Sequence, residues 1–358
     1  MRERSYDFLK RLLDTPGPSG FEIGAARVWR KEMEEVADEV RGDVSGNSIA
    51  TLKGGDGPRV MLAGHIDEIG LMVVHIDDDG FLYVDGIGGW DPQVLVGQRV
   101  RLLTKQGEVV GVIGKKPIHL MKQEERTNAS KMEELWVDVG ADGRDRATEM
   151  GVRVGDPAVL DTRFVELGGG KIVSRSIDNR IGAFVVAEAL RLLAEDGDRP
   201  AAEVSAVATS QEEIGSQGGG ARSSAFSLEP DIALVVDVTF ASDVPGVEKK
   251  TVGDHRIGGG PVLSRGSSVH PLVFERLAET AEREGIPVSL QANARHSRTD
   301  ADAIYLTRAG VATGLVSVPN RYMHSPNELV SLDDLEATSR LLAAFCRNLA
   351  ADTDFVPR

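Results

Sequence analysis

Thr209-Ser210-Gln211-Glu212-Glu213-Ile214-Gly215 sets two adjacent carboxylates directly after the apolar run 204–208. A strand ending there would hold both acids at the lip of a sheet, where α/β folds place their chemistry. One carboxylate can then ligate a metal while its neighbour moves protons, the division of labour that hydrolysis by a metal-activated water requires. Taken alone, the pair reads as a solvated loop. Four other segments change that reading: A-G-H-I-D-E at 63–68, S-R-S-I-D-N-R at 174–180, V-V-D-V-T at 235–239 and R-Y-M-H-S-P-N-E at 321–328.

Outward from the Glu-Glu pair, helical and strand patterns alternate. The spacing predicts helices over 178–194, 271–283, 300–308 and 332–348, and strands over 204–208, 232–236, 288–291 and 311–317. Ahead of them, 6–13 has helical spacing, and Ser19-Gly20-Phe21-Glu22 reads as a capping box opening a second helix that runs to about residue 40. Strands follow at 48–52 and 60–63. Between 69 and 165 the pattern changes to short apolar runs (71–76, 81–84, 100–103, 109–113, 136–139, 158–160) separated by Gly- and Asp-rich turns, with only 144–150 helical. The expectation is one α/β domain built from 1–68 and 166–358, interrupted by a small all-β unit at 69–165.

Composition bounds the function. The length of 358 residues suits two domains. A net charge of −15 argues against nucleic acid and anionic membranes as partners. No apolar run approaches the ~20 residues of a membrane span, and the N-terminus lacks the apolar stretch of a secretory signal, so the expected location is cytoplasmic. Cys346, the single cysteine, excludes an internal disulfide and zinc sites of the CxxC type. Its apolar helical surroundings predict a buried structural thiol.

Each candidate residue has an ordinary explanation beside the chemical one. His65 and Asp67 alternate on an extended segment and can share a face, one binding a metal and the other orienting a ligand. Asp178 opens a helix, where an N-capping role is the default. Asp237 ends the apolar run 232–236, and a carboxylate there is costly unless paired or bound to a cation. His324 lies in a Pro-rich loop, a position typical of functional loops and equally of harmless surface histidines.

Together the five segments resemble the glutamyl (tetrahedral) aminopeptidase family of dinuclear metallo-aminopeptidases, in order and spacing over nearly the whole chain. The resemblance implies a mixed-sheet metallopeptidase domain sandwiched by helices, with a β-barrel-like dimerisation insert. It implies two divalent metal ions, zinc first, cobalt or manganese as alternatives. His65 and Asp237 would hold one ion, Glu213 and His324 the other, and Asp178 would bridge them. Glu212 is then the general base and Asp67 the residue orienting it. Short peptides are the implied substrates, and self-association through the insert would build a twelve-subunit tetrahedral particle. One departure stands out: the family often carries a glycine-rich lead into T-D-A, whereas this chain has His296-Ser297-Arg298 before Thr299-Asp300-Ala301. Arg298 there is a candidate for pairing an acidic first residue of the substrate.

Of the remaining histidines, His75, His119 and His255 are read as structural or solvated, while His270 and His296 could line the cleft. A runner-up activity keeps the two metals but takes N-acylated small substrates, as a deacylase or carboxypeptidase-type amidohydrolase. A glycoside hydrolase fits less well, since its carboxylates must flank the scissile bond about 5–9 Å apart. A non-enzymatic binding shell would show a missing ligand, and none is missing.

Overall fold

The computed structural model describes residues 1–215 and 219–357, the side chain of Glu125 excepted. Helices α1 (Glu3–Asp14) and α2 (Ile23–Met33) open the chain, followed by β1 (Glu39–Gly42), β2 (Ser48–Leu52) and β3 (Arg59–His65). Next come β4 (Gly70–Ile76), β5 (Leu82–Ile87), β6 (Arg99–Thr104), β7 (Gly107–Gly114), β8 (Trp136–Asp138), the short helix α3 (Arg144–Glu149) and β9 (Pro157–Leu160). The hairpin of β10 (Val165–Leu167) and β11 (Lys171–Ser174) leads into α4 (Ile177–Glu195), β12 (Glu203–Thr209), α5 (Gly219–Leu228) and β13 (Ile232–Phe240). The rest of the chain forms α6 (Lys249–Val252), β14 (Val262–Gly266), α7 (Pro271–Arg283), β15 (Ser289–Asn293), α8 (Ala301–Ile304), β16 (Ala312–Asn320), β17 (Glu328–Ser331) and α9 (Leu332–Arg347).

Eight strands form a mixed sheet in the order β1-β2-β12-β3-β13-β16-β14-β15. Its centre, β12, β3, β13 and β16, is parallel, and antiparallel pairs flank it. Parallel strands covered by helices read as continuous apolar runs, and β13 is buried from Ile232 through Thr239. α4 packs against β3, β12, β13 and α9 and is buried on nearly every side. Such a helix belongs at the centre of a core rather than on its rim. The remaining long strands close into a six-stranded barrel, β4-β5-β8-β7-β6-β9. It has its own apolar core, including Leu71, Leu82, Val100, Leu102, Ile113 and Val137, separate from the large one around α4. A small antiparallel sheet, β10-β11-β17, ties the chain leaving the barrel to the segment after His324.

Several local expectations differ from the structure. The second helix stops at Met33, and Val40 instead pairs with Ala50 across β1 and β2. Pairing at the sheet edge overrides a helical pattern there, as tertiary context routinely does. No capping box forms at 19–22: the Glu22 carboxylate accepts from Gly20 N and Gln211 N, and the Ser19 hydroxyl donates to Asp67. The helix expected over 300–308 shortens to α8, the strand at 311–317 lengthens to β16, and α5, β14 and the β10-β11-β17 sheet carry too little periodicity to be read in advance. Among the described residues no helix is long and apolar enough to cross a membrane.

Candidate metal and catalytic centre

Parallel register brings the candidate residues to one end of the sheet. Thr209 of β12 lies opposite His65 of β3, Val235 of β13 opposite Ala63, and Asp237 opposite Ser317 of β16. His65 and the Glu212-Glu213 turn therefore stand at one lip, the C-terminal ends of neighbouring strands, and Asp237 stands level with them inside β13, which runs on to Phe240 rather than ending at 236 as expected. α4 reaches this lip because residue 64 is glycine. A Cβ at Gly64 would sit 2.4 Å from the backbone carbon of Gly182, too close for any side chain. Asp178 is not the helix cap expected from sequence: it has an extended ψ of 108° ahead of the regular helix, and Asn179 caps that helix by accepting from Gly182 N at 3.0 Å. The Asp178 amide donates to Glu328 Oε2 at 2.9 Å, while the Asn179 side chain donates to the carbonyl of Val236 at 2.8 Å. Turned out of the helix, the Asp178 carboxylate faces the lip.

There it meets both histidines. Asp178 Oδ1 is 3.2 Å from His65 Nε2, and Oδ2 is 3.3 Å from His324 Nε2. His65 Nε2 also lies 3.8 Å from Glu212 Oε2 and 3.9 Å from Asp237 Oδ1, and His324 Nε2 lies 3.3 Å from Glu213 Oε2. His65, Asp178 and Glu213 can each bring a donor atom within 4.8 Å of the others. The two imidazoles are oriented alike. His65 Nδ1 is 3.2 Å from the carbonyl of Asp67, and His324 Nδ1 is 2.8 Å from the carbonyl of Gly89, in the loop after β5. An Nδ1–H held by oxygen leaves Nε2 with its lone pair exposed, as metal-binding histidines require. Asp67, fully buried, touches the Glu-Glu pair through the backbone, accepting from Glu212 N at 3.1 Å and Glu213 N at 3.2 Å.

The donor set fits divalent cations. Ligands about 2.1 Å from one tetrahedral ion stand about 3.4 Å apart, the range of the His65–Asp178, His324–Asp178 and His324–Glu213 separations. Glu213 Oε1 is buried without a hydrogen-bond partner. Asp67, Asp178, Glu213, Asp237 and Glu328 are all buried or nearly so around two imidazoles, a surplus of negative charge that a protein interior tolerates only with compensating cations. The protonation balance reflects this crowding. Without compensating cations, burial pushes the Glu212 carboxyl up to about 10, with His65 opposing and Asp237, Asp300 and Glu213 adding to the rise, and cations bound among these acids would lower it toward the range of a working base. Asp178 moves the other way: burial raises it, but the two histidines overcome that and hold it below the ordinary carboxylate range.

A cleft of about 850 Å³ opens beside Glu212 and Glu213, lined also by Arg222, His296, Arg298 and Asp300. Arg298 has a left-handed backbone (φ 61°), and its amide donates to Asp302 Oδ2 at 2.7 Å. His296 joins this wall, but His270 does not: it lies at the start of α7 against Phe355. Arg222, on α5, escaped the sequence reading because a lone arginine in G-G-A-R-S-S-A carries no motif.

Three comparisons agree with this architecture. The family model described as M42 glutamyl aminopeptidase matches residues 46–341. A lysyl aminopeptidase of Pyrococcus furiosus is 38% identical, the match covering 98% of this chain and 99% of that protein. Among solved structures, the TET aminopeptidase of a marine sediment Thaumarchaeota archaeon superimposes with a TM-score of 0.92 at 36% identity, covering 97% of each chain. The TET1 peptidase of Pyrococcus horikoshii, which can assemble into a tetrahedron or a large octahedral shell, does so with a TM-score of 0.84 at 31% identity over 96% of this chain and 100% of that one. A peptide hydrolase scaffold, matched from end to end in sequence and in fold, thus underlies the cluster at the lip of the sheet, and the chain belongs to the M42 glutamyl aminopeptidase family.

Proposed function

We propose that the chain removes the N-terminal residue of short peptides with two divalent cations held by His65, Asp178, Glu213, Asp237 and His324, and with Glu212 as general base. In this reading His65 and Asp237 serve one ion, Glu213 and His324 the other. The observation that carries it is Asp178, whose two oxygens face two different imidazoles at 3.2 and 3.3 Å, as a carboxylate shared between two ions would. Imidazole and carboxylate donors suit zinc, and cobalt or manganese accept the same set. When bound, the ions would acidify a shared water and polarise the scissile carbonyl. Glu212 takes the water's proton and delivers it to the leaving amine. Asp67 holds the backbone from which that carboxylate projects. Glu212→Gln keeps the volume and removes the base, so turnover should fall by about 10²–10⁴-fold with metal content nearly unchanged. Near-native turnover would remove Glu212 from this role. Glu213→Ala should cost one metal equivalent, and full occupancy by elemental analysis would end its assignment as a ligand.

Because the P. furiosus relative is a lysyl enzyme and the family description is glutamyl, the reading of the substrate's first residue rests on the cleft's own charges. Asp300 Oδ2 accepts from the hydroxyl of Thr209 while its buried Oδ1 has no hydrogen-bond partner, and Asp302 is engaged by Ser297 and the amide of Arg298. The guanidinium groups of Arg222 and Arg298 have no ion-pair partner among the described residues. This balance supports an acidic first residue, with Arg298 pairing its carboxylate.

For assembly, the reading is that residues 1–68 and 166–358 form the catalytic domain and 69–165 the subunit interface of a tetrahedral dodecamer. Support comes from the tetrahedral P. horikoshii relative and from Val110, Val112, Ile118 and Leu120, apolar side chains exposed on and beside the barrel.

A further inference from the structure

The turn carrying Glu212 and Glu213 is held by its own amides. Four consecutive N–H groups donate to side chains from three separate segments. Ser210 donates to Asn47 Oδ1 at 3.0 Å, Gln211 to Glu22 Oε1 at 3.2 Å, Glu212 to Asp67 Oδ1 at 3.1 Å and Glu213 to Asp67 Oδ2 at 3.2 Å. At the pivot stands Gln211, a residue with a Cβ in the left-handed region (φ 60°). Such backbone persists only where its surroundings over-determine it, and it concentrates at functional sites. All three acceptors are fixed in turn. Glu22 is 5% exposed and also takes the amide of Gly20 at 2.7 Å. Asn47 is fully buried, and its Nδ2 donates to Asp43 Oδ2 at 2.7 Å and to the carbonyl of Gly220 at 3.0 Å, leaving Oδ1 to face the turn. Asp67 receives the hydroxyl of Ser19 at 2.5 Å. The loop between α1 and α2 thus reaches the turn directly through Glu22, on the Gln211 amide, and indirectly through Ser19, which holds Asp67.

We propose that Glu22 is a positioning residue for catalysis: by accepting the Gln211 amide it holds the turn in the conformation from which Glu212 enters the cleft. It acts as a hydrogen-bond acceptor, and neither its charge nor a proton on it takes part. The proposal rests on Glu212 being the general base.

Glu22→Ala and Glu22→Gln, made in the full-length assembled protein loaded with zinc, separate these roles. The alanine variant removes the acceptor, and the glutamine variant keeps Oε1 and discards the charge. Expected for Glu22→Ala are exchange of the Gln211 amide faster by about 10-fold or more, unchanged zinc content, kcat on a chromogenic amino-acid amide lower by about 10–100-fold, and KM within about 3-fold. Glu22→Gln should restore kcat to within about 3-fold of wild type. Native kcat or native Gln211 exchange in the alanine variant overturns the proposal. So does a glutamine variant as slow as the alanine one, which would give Glu22 an electrostatic or proton-transfer role. Loss of zinc or early global melting in both variants would make Glu22 scaffold alone. Full turnover by Glu212→Gln would defeat the reading of Glu212 instead, a failure distinguishable because the exchange measurement does not depend on it.

Discussion

Gly64 does more for the site than any ligand's neighbour, because it sets how closely α4 approaches the strand that ends in His65. A methyl group there would meet the Gly182 carbon at 2.4 Å and the Ala183 nitrogen at 2.7 Å, and backbone cannot rotate away as a side chain can. Gly64→Ala must therefore push α4 outward, at a cost of about 1–3 kcal/mol for overpacking, and carry Asp178 away from His65. The expected outcome is a lower urea midpoint together with weaker zinc retention in dialysis; a stable variant holding its metal normally would refute the account. Arg298→Ala tests the substrate reading at the same scale. Its kcat/KM should fall on a Glu substrate by about 10-fold or more, roughly 1.4 kcal/mol of transition-state binding, with little change on Leu. A constant Glu/Leu ratio would exclude Arg298 from specificity. Cys346 is fully buried, and burial pushes its thiol up to about 12. The native protein should therefore resist a thiol reagent that labels it in urea.

Among the elements, α1, α2 and α4 share an apolar core and also meet at one carboxylate. Glu32 of α2 meets Arg191 of α4 at 3.0 Å, with both side chains nearly buried, and Arg4 and Arg11 of α1 at 2.9 and 2.8 Å. The two α1 arginines are half exposed, and solvent screens their share. Burial pushes Glu32 up, but hydrogen bonds from the three arginines outweigh it and hold the carboxyl below its ordinary value. A depressed carboxyl contributes stability that is present above its unfolded pKa and lost as pH falls through the folded one. Glu32→Gln should cost about 1.5–3 kcal/mol at pH 7, the range for hydrogen bonds to charged groups. Its stability should also decline less than wild type's between about pH 5 and pH 3. Parallel pH profiles of the urea midpoint for the two proteins would contradict this.

At the level of the whole molecule, the barrel has its own core yet is not indifferent to the metal centre. The carbonyl of Gly89 orients His324, and a Cβ on neighbouring Gly88 would lie 3.5 Å from that of Glu213. Removing 69–165 and closing the gap should yield a smaller assembly in light scattering, because the proposed interface is gone. Metal should still bind at His65 and Asp237 but be retained less tightly at His324, whose acceptor is lost. An unchanged particle size would defeat the assembly reading.

Much of this was legible in the primary structure because short-range physics wrote it there. The apolar runs at 204–208 and 232–236 read as strands, the short runs between 71 and 160 as a small β unit, and Glu212-Glu213 stands where the first of those strands ends, while Asp237 lies inside a strand that runs on to Phe240. What the chain alone left open depends on contacts between distant segments. Val40 joined β1 rather than α2 because β2 offered it a partner, and Asp178 left its capping role because Glu328 takes its amide and Val236 takes the side chain of Asn179. Arg222 carries no motif, and Glu22 carries only that of a capping box, which does not form. One lines the cleft and the other holds the Glu212-Glu213 turn because tertiary packing carried α5 and the 19–22 loop to the lip of the sheet. Residue types and their local spacing determined which chemistry was possible; the register of β3, β12 and β13 and the approach of α4 decided which groups meet, since donor separations of about 3.4 Å are set by packing across the fold.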